Sequence, residues 1–406
     1  MGRVAHAAWS LVVRGRAQLP RRADLLLERA KWALRRGGAG AVPPPGPEAF
    51  PAANASRPAV LLAPANFAGQ AHAWAGALTA VEVAEGRNWA YVANPVFAFP
   101  ASYVVPISVY AQPRAFFAEL YGRVVDGFDA VVLESGRPLF GRLFGFAPER
   151  ELAALREAGL AVALMWHGSD IRLPSWHVAG HTASPYALPQ LRRRARELEA
   201  TARRNRAALL GLGLPSLVST PDLLELVPGA AWCPSVVALP DAAGLGGVLQ
   251  RAVPRVVHVP SNPLLKGTDL IEPVLRRLAS AGLIEYVRAE GLVAAQVLEL
   301  YRTADIVLDQ FRLGIYGVAA CEAMAAGRVV VSDVDASVRA TVLQETGLEL
   351  PVVQATAAEL ETVLGQVLAE RDHFRALAAQ GRAFVEAIHA GPRSAAALAA
   401  ALGLPR

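Results

Sequence analysis

Residues 304–333 read ADIVLDQFRLGIYGVAACEAMAAGRVVVSD. The stretch divides into strand, loop, helix and strand. Positions 305–309 are a short apolar run bounded by Asp305 and Asp309, the pattern of a parallel strand buried on both faces. A loop follows, with Gly314 and Gly317 around Tyr316. Positions 318–326 are rich in alanine and read as a helix, which Gly327 is placed to end. Positions 329–331 are the next buried strand, closed by Ser332 and Asp333. In open α/β sheets, ligands sit beyond the carboxyl ends of the strands. A glycine loop that enters a helix N-terminus offers free N–H groups and a partial positive charge, which suits phosphate. Glu322, a turn or more inside that helix, can face the same crevice and accept hydrogen bonds from sugar hydroxyls. An ordinary β-α-β unit with a solvated glutamate has the same spacing, so this pattern alone leaves both readings open.

Working outward, residues 260–269 read PSNPLLKGTD. Gly314-Ile315-Tyr316-Gly317 followed by EAMAAG at 322–327 resembles the donor-site helix of GT-B glycosyltransferases, especially the family 4-like group (glycosyl transferases group 1). The segment from Pro260 to Asp269, with Lys266, resembles that group's phosphate segment. The resemblance covers about residues 255–390, with several motifs in order at the right separations. It implies an α/β fold of two Rossmann-like doubly wound domains facing a cleft. It also implies a nucleotide-diphosphate sugar (UDP- or GDP-sugar) as donor, no separate cofactor, no essential metal, and retention of the anomeric configuration. The donor-binding residues would be Ser261, Asn262, Lys266, Gly267, Gly314, Ile315, Tyr316, Gly317 and Glu322, with Lys266 catalytic through the departing diphosphate. The family usually has two glutamates eight positions apart, the second on the ribose and the first on the donor sugar. The second falls on Glu322 and the first on Gly314. An arginine common just ahead of the lysine is replaced here by Ser261 and Asn262. Backbone N–H groups and these side chains would stand in for it.

Composition fits this. A chain of 406 residues, 53% hydrophobic and 18% charged, suggests two domains with ample cores. Cys233 and Cys321 cannot build a disulfide framework, and their setting reads as reduced and cytoplasmic. No apolar run approaches the roughly 20 residues of a membrane span. The net charge of +5 is unevenly placed. Nine basic residues stand against Asp24 and Glu28 in residues 1–36, a surplus of seven, so the other 370 residues sum to −2. The basicity therefore belongs to one tail and does not argue for nucleic acid. Only Lys31 and Lys266 are lysines among 40 basic residues. A compact ammonium suits a phosphate as a point charge.

In order along the chain, residues 1–50 are a basic extension and a linker. Charged residues recur at 21/22, 28/29 and 35/36, giving a basic amphipathic helix. It reads either as an anchor on an anionic membrane surface, with the protein peripheral at its inner face, or as a helix packed on the protein. GGAGAVPPPGP at 37–47 is the linker. Residues 51–245 are the acceptor domain, with strands at 59–63, 88–93, 129–133, 161–166 and 216–220. Asn66, Gly69 and Gln70 lie in its first loop and are the acceptor-binding candidates. Glu134-Ser135-Gly136-Arg137-Pro138 sits at a strand's carboxyl end, as a site group or as a capped turn with a surface ion pair. The strand at 161–166 delivers His167 and Asp170 into a loop, where they read as catalytic candidates. His177 and His181 are four apart, like paired zinc ligands. The HTASP sequence around His181 reads as loop, however, and no glutamate completes the motif, so no metal site is assigned. Residues 190–206 are strongly basic, with little aromatic interleaving for nucleic acid, and Pro221 reads as a helix start. The segment 240–250 is the domain boundary, 250–390 the donor domain, and 391–406 a final helix that in this fold crosses back to the first domain.

The expected function is transfer of a sugar to the hydroxyl of a glycan, lipid-linked or small-molecule acceptor, in glycan, glycolipid or glycoconjugate biosynthesis. Nucleotide-sugar epimerases share the architecture and would need a cluster of acid/base groups, for which His167, Asp170 and Glu134 are the candidates. A non-catalytic sugar- or lipid-binding protein is the third reading.

Overall fold

Short runs of valine, leucine and alanine become strands buried on both faces, and helices cover them. The computed structural model describes Leu26 and residues 46–50, 56–92 and 99–405. Apart from Leu26, the amphipathic helix, with most of the linker read from the sequence, lies outside the described residues. Seven parallel strands form the first sheet: β1 (Ala59–Ala63), β2 (Glu85–Val92), β3 (Tyr103–Pro106), β4 (Ala130–Glu134), β5 (Ala161–Trp166), β6 (Ser216–Val218) and β7 (Ala231–Trp232). Their order is β3-β2-β1-β4-β5-β6-β7. The second sheet holds β8 (Arg255–His258), β9 (Glu285–Arg288), β10 (Ile306–Leu308), β11 (Val329–Ser332) and β12 (Val353–Gln354), in the order β12-β11-β10-β8-β9. Val307 of β10 lies between Val257 and Val330, all parallel.

Each order reverses direction once, between β1 and β4 in the first sheet and between β8 and β10 in the second. Loops leaving adjacent strands at such a point diverge to opposite faces and open a crevice. The two crevices place the candidate site.

Fully buried Trp74, Trp89 and Trp166 fill the first domain. The last helix, Pro392–Leu402, packs mainly on that domain. Ala395, Leu398 and Leu402 join Val60, Leu62, Trp74, Leu217 and Cys233 in one apolar cluster. The Trp74 indole and the Ser394 hydroxyl both donate to the carbonyl of Pro234, at 2.8 and 2.7 Å.

Three strands escape a sequence reading: β3, β7 and β12, each at an edge and four, two and two residues long. Pro221 opens only a single 3-10 turn, Pro221–Leu224, not a helix. Both cysteines are free and buried. Among the described residues no helix is long and apolar enough to cross a membrane.

Candidate functional site

In the second domain, the crevice between β8 and β10 is lined by charge. Beyond β8, Asn262 caps a one-turn helix, Pro263–Lys266. Its side-chain oxygen accepts from the N–H groups of Leu264 and Leu265 at 3.1 and 3.2 Å. Gly267 then turns the chain with φ +74°, where a Cβ would crowd Arg312 and Phe311 at 3.1 and 3.2 Å. The helix Thr268–Ser280 follows. Lys266 is thereby aimed at the next strand, where its ammonium pairs with the buried carboxylate of Asp309. The other Asp309 oxygen accepts from the N–H of Gly317, at 3.3 Å, which opens the helix Val318–Ala325.

Glu322 stands in the same electrostatic cluster. Burial pushes its carboxyl up to about 7, Lys266 pulls it down and Asp309 pushes it up. A carboxyl raised in the fold above its ordinary value of 4.5 is neutral in folded and unfolded chains at lower pH. As pH rises through about 7, the folded state pays the cost of ionising it and that stability is lost. Glu322→Gln is therefore expected to stabilise the ligand-free protein by about 2 kcal/mol at pH 8, and not at pH 4. Thermal melts at the two pH values check this; equal shifts would take Glu322 out of the cluster.

Gly314 has φ +66°, and a Cβ there would overlap the carboxylate of Asp335. The Asp335 N–H donates to the Gly314 carbonyl at 2.9 Å. The position that resemblance assigns to a glutamate is thus glycine for a steric reason, and another carboxylate fills the space. Tyr316 is buried, its hydroxyl 3.3 Å from Nε2 of His389. Nδ1 of His389 donates to the Ser235 carbonyl at 2.7 Å, so the ring fastens Tyr316 to the segment just after β7. Any part Tyr316 takes in binding therefore comes from its backbone. Ser261 is exposed, and Ile315 is half-buried.

In the first domain the crevice between β1 and β4 holds a histidine and a carboxylate. Nε2 of His167 lies 3.0 Å from Oε1 of Glu134, whose side chain is wholly buried. Burial raises the Glu134 carboxyl, and the His167 hydrogen bond lowers it. The other Glu134 oxygen accepts from the N–H of Ala65 at 3.0 Å, joining the β1 and β4 loops. Trp74 stacks on the imidazole at 5.5 Å and Phe67 meets it edge-on at 5.1 Å. Arg137 lies over the Phe67 ring at 4.9 Å.

Three expected site residues serve the scaffold. Asp170, expected to act with His167, spends its carboxylate on the backbone N–H groups of His167 (3.0 and 3.1 Å) and Gly168 (2.8 Å). It holds the loop rather than reaching toward a substrate. Gln70, expected at the acceptor, is buried. It accepts from the Val236 N–H at 2.7 Å and donates to the Val236 carbonyl at 3.1 Å. Asn66 donates to the Pro100 carbonyl at 2.9 Å and accepts from the His72 N–H at 3.2 Å. Gly69 has φ +75° in the same loop.

Three residues gain partners that the sequence did not give them. Glu134, read as a site group or a capped turn, is the partner of His167. Asp309 is the partner of Lys266. Asn205, on the arginine-rich helix Arg192–Leu209, donates to the carbonyls of Asp170 and Ser135 at 2.8 and 3.2 Å and so ties the two loops of the dyad together. The signal for Asp309 was present: a carboxylate at the carboxyl end of a buried strand, at a switch point.

No protein-family model and no curated protein sequence matches the chain. Solved structures do. The chain is similar to sucrose-phosphate synthase from Thermosynechococcus elongatus, at 14% identity and TM-score 0.52 over 85% of this chain and 98% of that one. It is similar to a glycosyltransferase from Rickettsia africae, at 10% identity and TM-score 0.52 over 86% and 98%. It is similar to Anabaena HepE in complex with UDP and glucose, at 11% identity and TM-score 0.50 over 86% and 99%. The likeness spans both domains of each, and with the two parallel sheets it establishes that this chain has the GT-B glycosyltransferase fold.

Proposed function

We propose that the protein is a glycosyltransferase that moves a sugar from a nucleotide-diphosphate donor to an acceptor hydroxyl. The observation that carries the proposal is the Lys266–Asp309 pair at the switch point of the second sheet, beside Glu322 and the Gly317 helix start. A diphosphate arriving there meets the Lys266 ammonium and the positive end of the helix that Gly317 opens, and a ribose meets Glu322. As the glycosidic bond breaks, the diphosphate gains charge, and Lys266 stabilises it. His167 and Glu134 stand at the corresponding point of the first sheet, where the acceptor enters. The carboxylate fixes Nε2 as the donor, which leaves Nδ1 to hold or take a proton at the acceptor hydroxyl.

UDP is the first nucleotide to test, since HepE binds it on the same fold; a GDP-sugar is the second. Retention rests on the sequence resemblance alone, and metal independence on that resemblance and on Lys266 as the cation at the diphosphate. Turnover is expected to be unchanged in excess EDTA; loss of activity that a divalent ion restores would overturn the metal-free reading. Incubation of a matched donor alone separates transfer from epimerisation, because only an epimerase turns over without acceptor.

The basic segment 1–36 fits a cytoplasmic protein that works at the inner face of an anionic membrane on a lipid-linked or glycan acceptor. Removal of residues 1–40 is expected to leave soluble turnover intact and to lower co-sedimentation with anionic vesicles at low salt several-fold. Equal sedimentation of the two proteins would refute the anchor.

A further inference from the structure

The helix Pro174–Gly180 and the turn after it belong to the first domain, yet their polar groups end on the second. Three contacts surround the 311–317 loop. Arg312 donates to the Ala183 carbonyl at 3.4 Å. Nε2 of His177 donates to the Leu313 carbonyl at 3.3 Å, while its Nδ1 accepts from the Ser184 hydroxyl at 2.7 Å. Nε2 of His181 lies 3.2 Å from Oδ1 of Asp335, the residue whose carboxylate sits against Gly314. The two imidazoles stack 5.1 Å apart at 11°. The first domain thus grips both flanks of Gly314, three residues before the Gly317 N–H that Asp309 binds.

We propose that His177 and His181 are positioning residues that act across the domain boundary, holding the 311–317 loop in the shape the donor requires, with the charge on His181 as the control. The proposal deepens the donor-site reading above and rests on it.

The two histidines have divided roles. His177 needs its Nε2 proton for Leu313 and its Nδ1 lone pair for Ser184, so it works as a neutral ring. Burial and the Arg172 guanidinium push it down to about 4. Arg172 itself is neutralised by Asp222, at 3.0 Å, and Tyr186 closes the far side of His177 edge-on. His181 faces Asp335 and Asp333, and the Asp335 carboxylate 3.2 Å from its Nε2 raises it above its ordinary 6.5. Arg312 is paired with Asp269 at 2.7 Å, so it does not compete for Asp335. A raised histidine contributes fully below about 6.5 and loses that contribution as pH rises through its folded value. One charged and one neutral ring can stack; two charged rings would repel.

Hydrogen exchange of the 311–317 amides, expressed as protection over the intrinsic rate, tests this without any ligand. Protection in the wild type is expected to fall about 3-fold between pH 6 and pH 9, one broken half-exposed ion pair's worth. His181→Gln is expected to show the low value at both pH values, and Asp335→Asn, made in the other domain, the same. In parallel, UDP and GDP affinities of His181→Gln relative to wild type should be reduced at pH 6 and equal at pH 9. Wild-type protection retained in both variants at pH 6, or a flat wild-type profile, overturns the latch. Lost protection with unaltered nucleotide affinity overturns the positioning role. If the wild type binds neither nucleotide, the donor reading fails, and the exchange experiment alone decides whether the histidines hold the loop.

Discussion

Lys266→Ala is expected to lower turnover by about two orders of magnitude or more, roughly 3 kcal/mol of transition-state stabilisation. Charge on the leaving diphosphate grows as its bond to the sugar breaks, so the ammonium matters more in the transition state than in the ground state. Donor affinity should fall less than turnover. The same substitution strips Asp309 of its cation and leaves a buried carboxylate beside Glu322, so the melting temperature should drop too. A second variant separates the two effects. Lys266→Ala combined with Asp309→Asn removes the stranded charge and should recover much of the stability but none of the rate. Lys266→Arg should recover part of the rate, because a planar fork replaces a point charge. Steady-state kinetics and melts on the set decide it. Unchanged turnover in the alanine variant would move the diphosphate elsewhere and remove the main support for the proposed function.

His167→Ala is expected to lower turnover roughly 100- to 1,000-fold, the range of a positioned acid/base group. Free nucleotide should bind as it does to the wild type, because the imidazole lies in the other domain from Lys266 and Glu322. Glu134→Gln should fall between the two, since the amide oxygen can still accept from Nε2 but brings no charge. Turnover and calorimetry with the free diphosphate check this. Equal losses of affinity and turnover would mean that His167 supports the fold, through Trp74 and Phe67, rather than the reaction.

The sequence makes some of this legible and hides the rest for physical reasons. The run 304–333 could be read because a parallel strand covered on both faces leaves a continuous apolar signature, and Gly327 marks the helix end by its left-handed backbone, φ +68°. Lys266 was legible from its loop and its rarity. The pairings were not. Lys266 meets Asp309 across 43 positions and Glu134 meets His167 across 33, distances that only the strand order closes. Gln70 looked free to bind hydroxyls because Val236, which claims both ends of its amide, arrives 166 residues later. Asn262 is different: Asn followed by Pro at a helix start is a capping signal legible in the sequence, and its side-chain oxygen makes that cap. The edge strands β3, β7 and β12 are too short to carry any periodicity.

The helix Pro392–Leu402 has a consequence for how the protein is made. Its apolar face completes the layer that Trp74, Leu217 and Cys233 leave open, but it leaves the ribosome about 160–170 residues after β7. At the usual pace of synthesis that is roughly 10–30 s. During that interval the first sheet exists with one greasy flank bare, while the whole second domain is still being threaded out. Nascent chains of this protein should therefore lean on chaperones at that stage. A stop codon a few residues after Ile388 should yield an aggregating product, although every residue of the proposed site is already present. Grafts that exchange one domain for another will need to carry the tail with the front half, not with the back half to which it is attached by sequence.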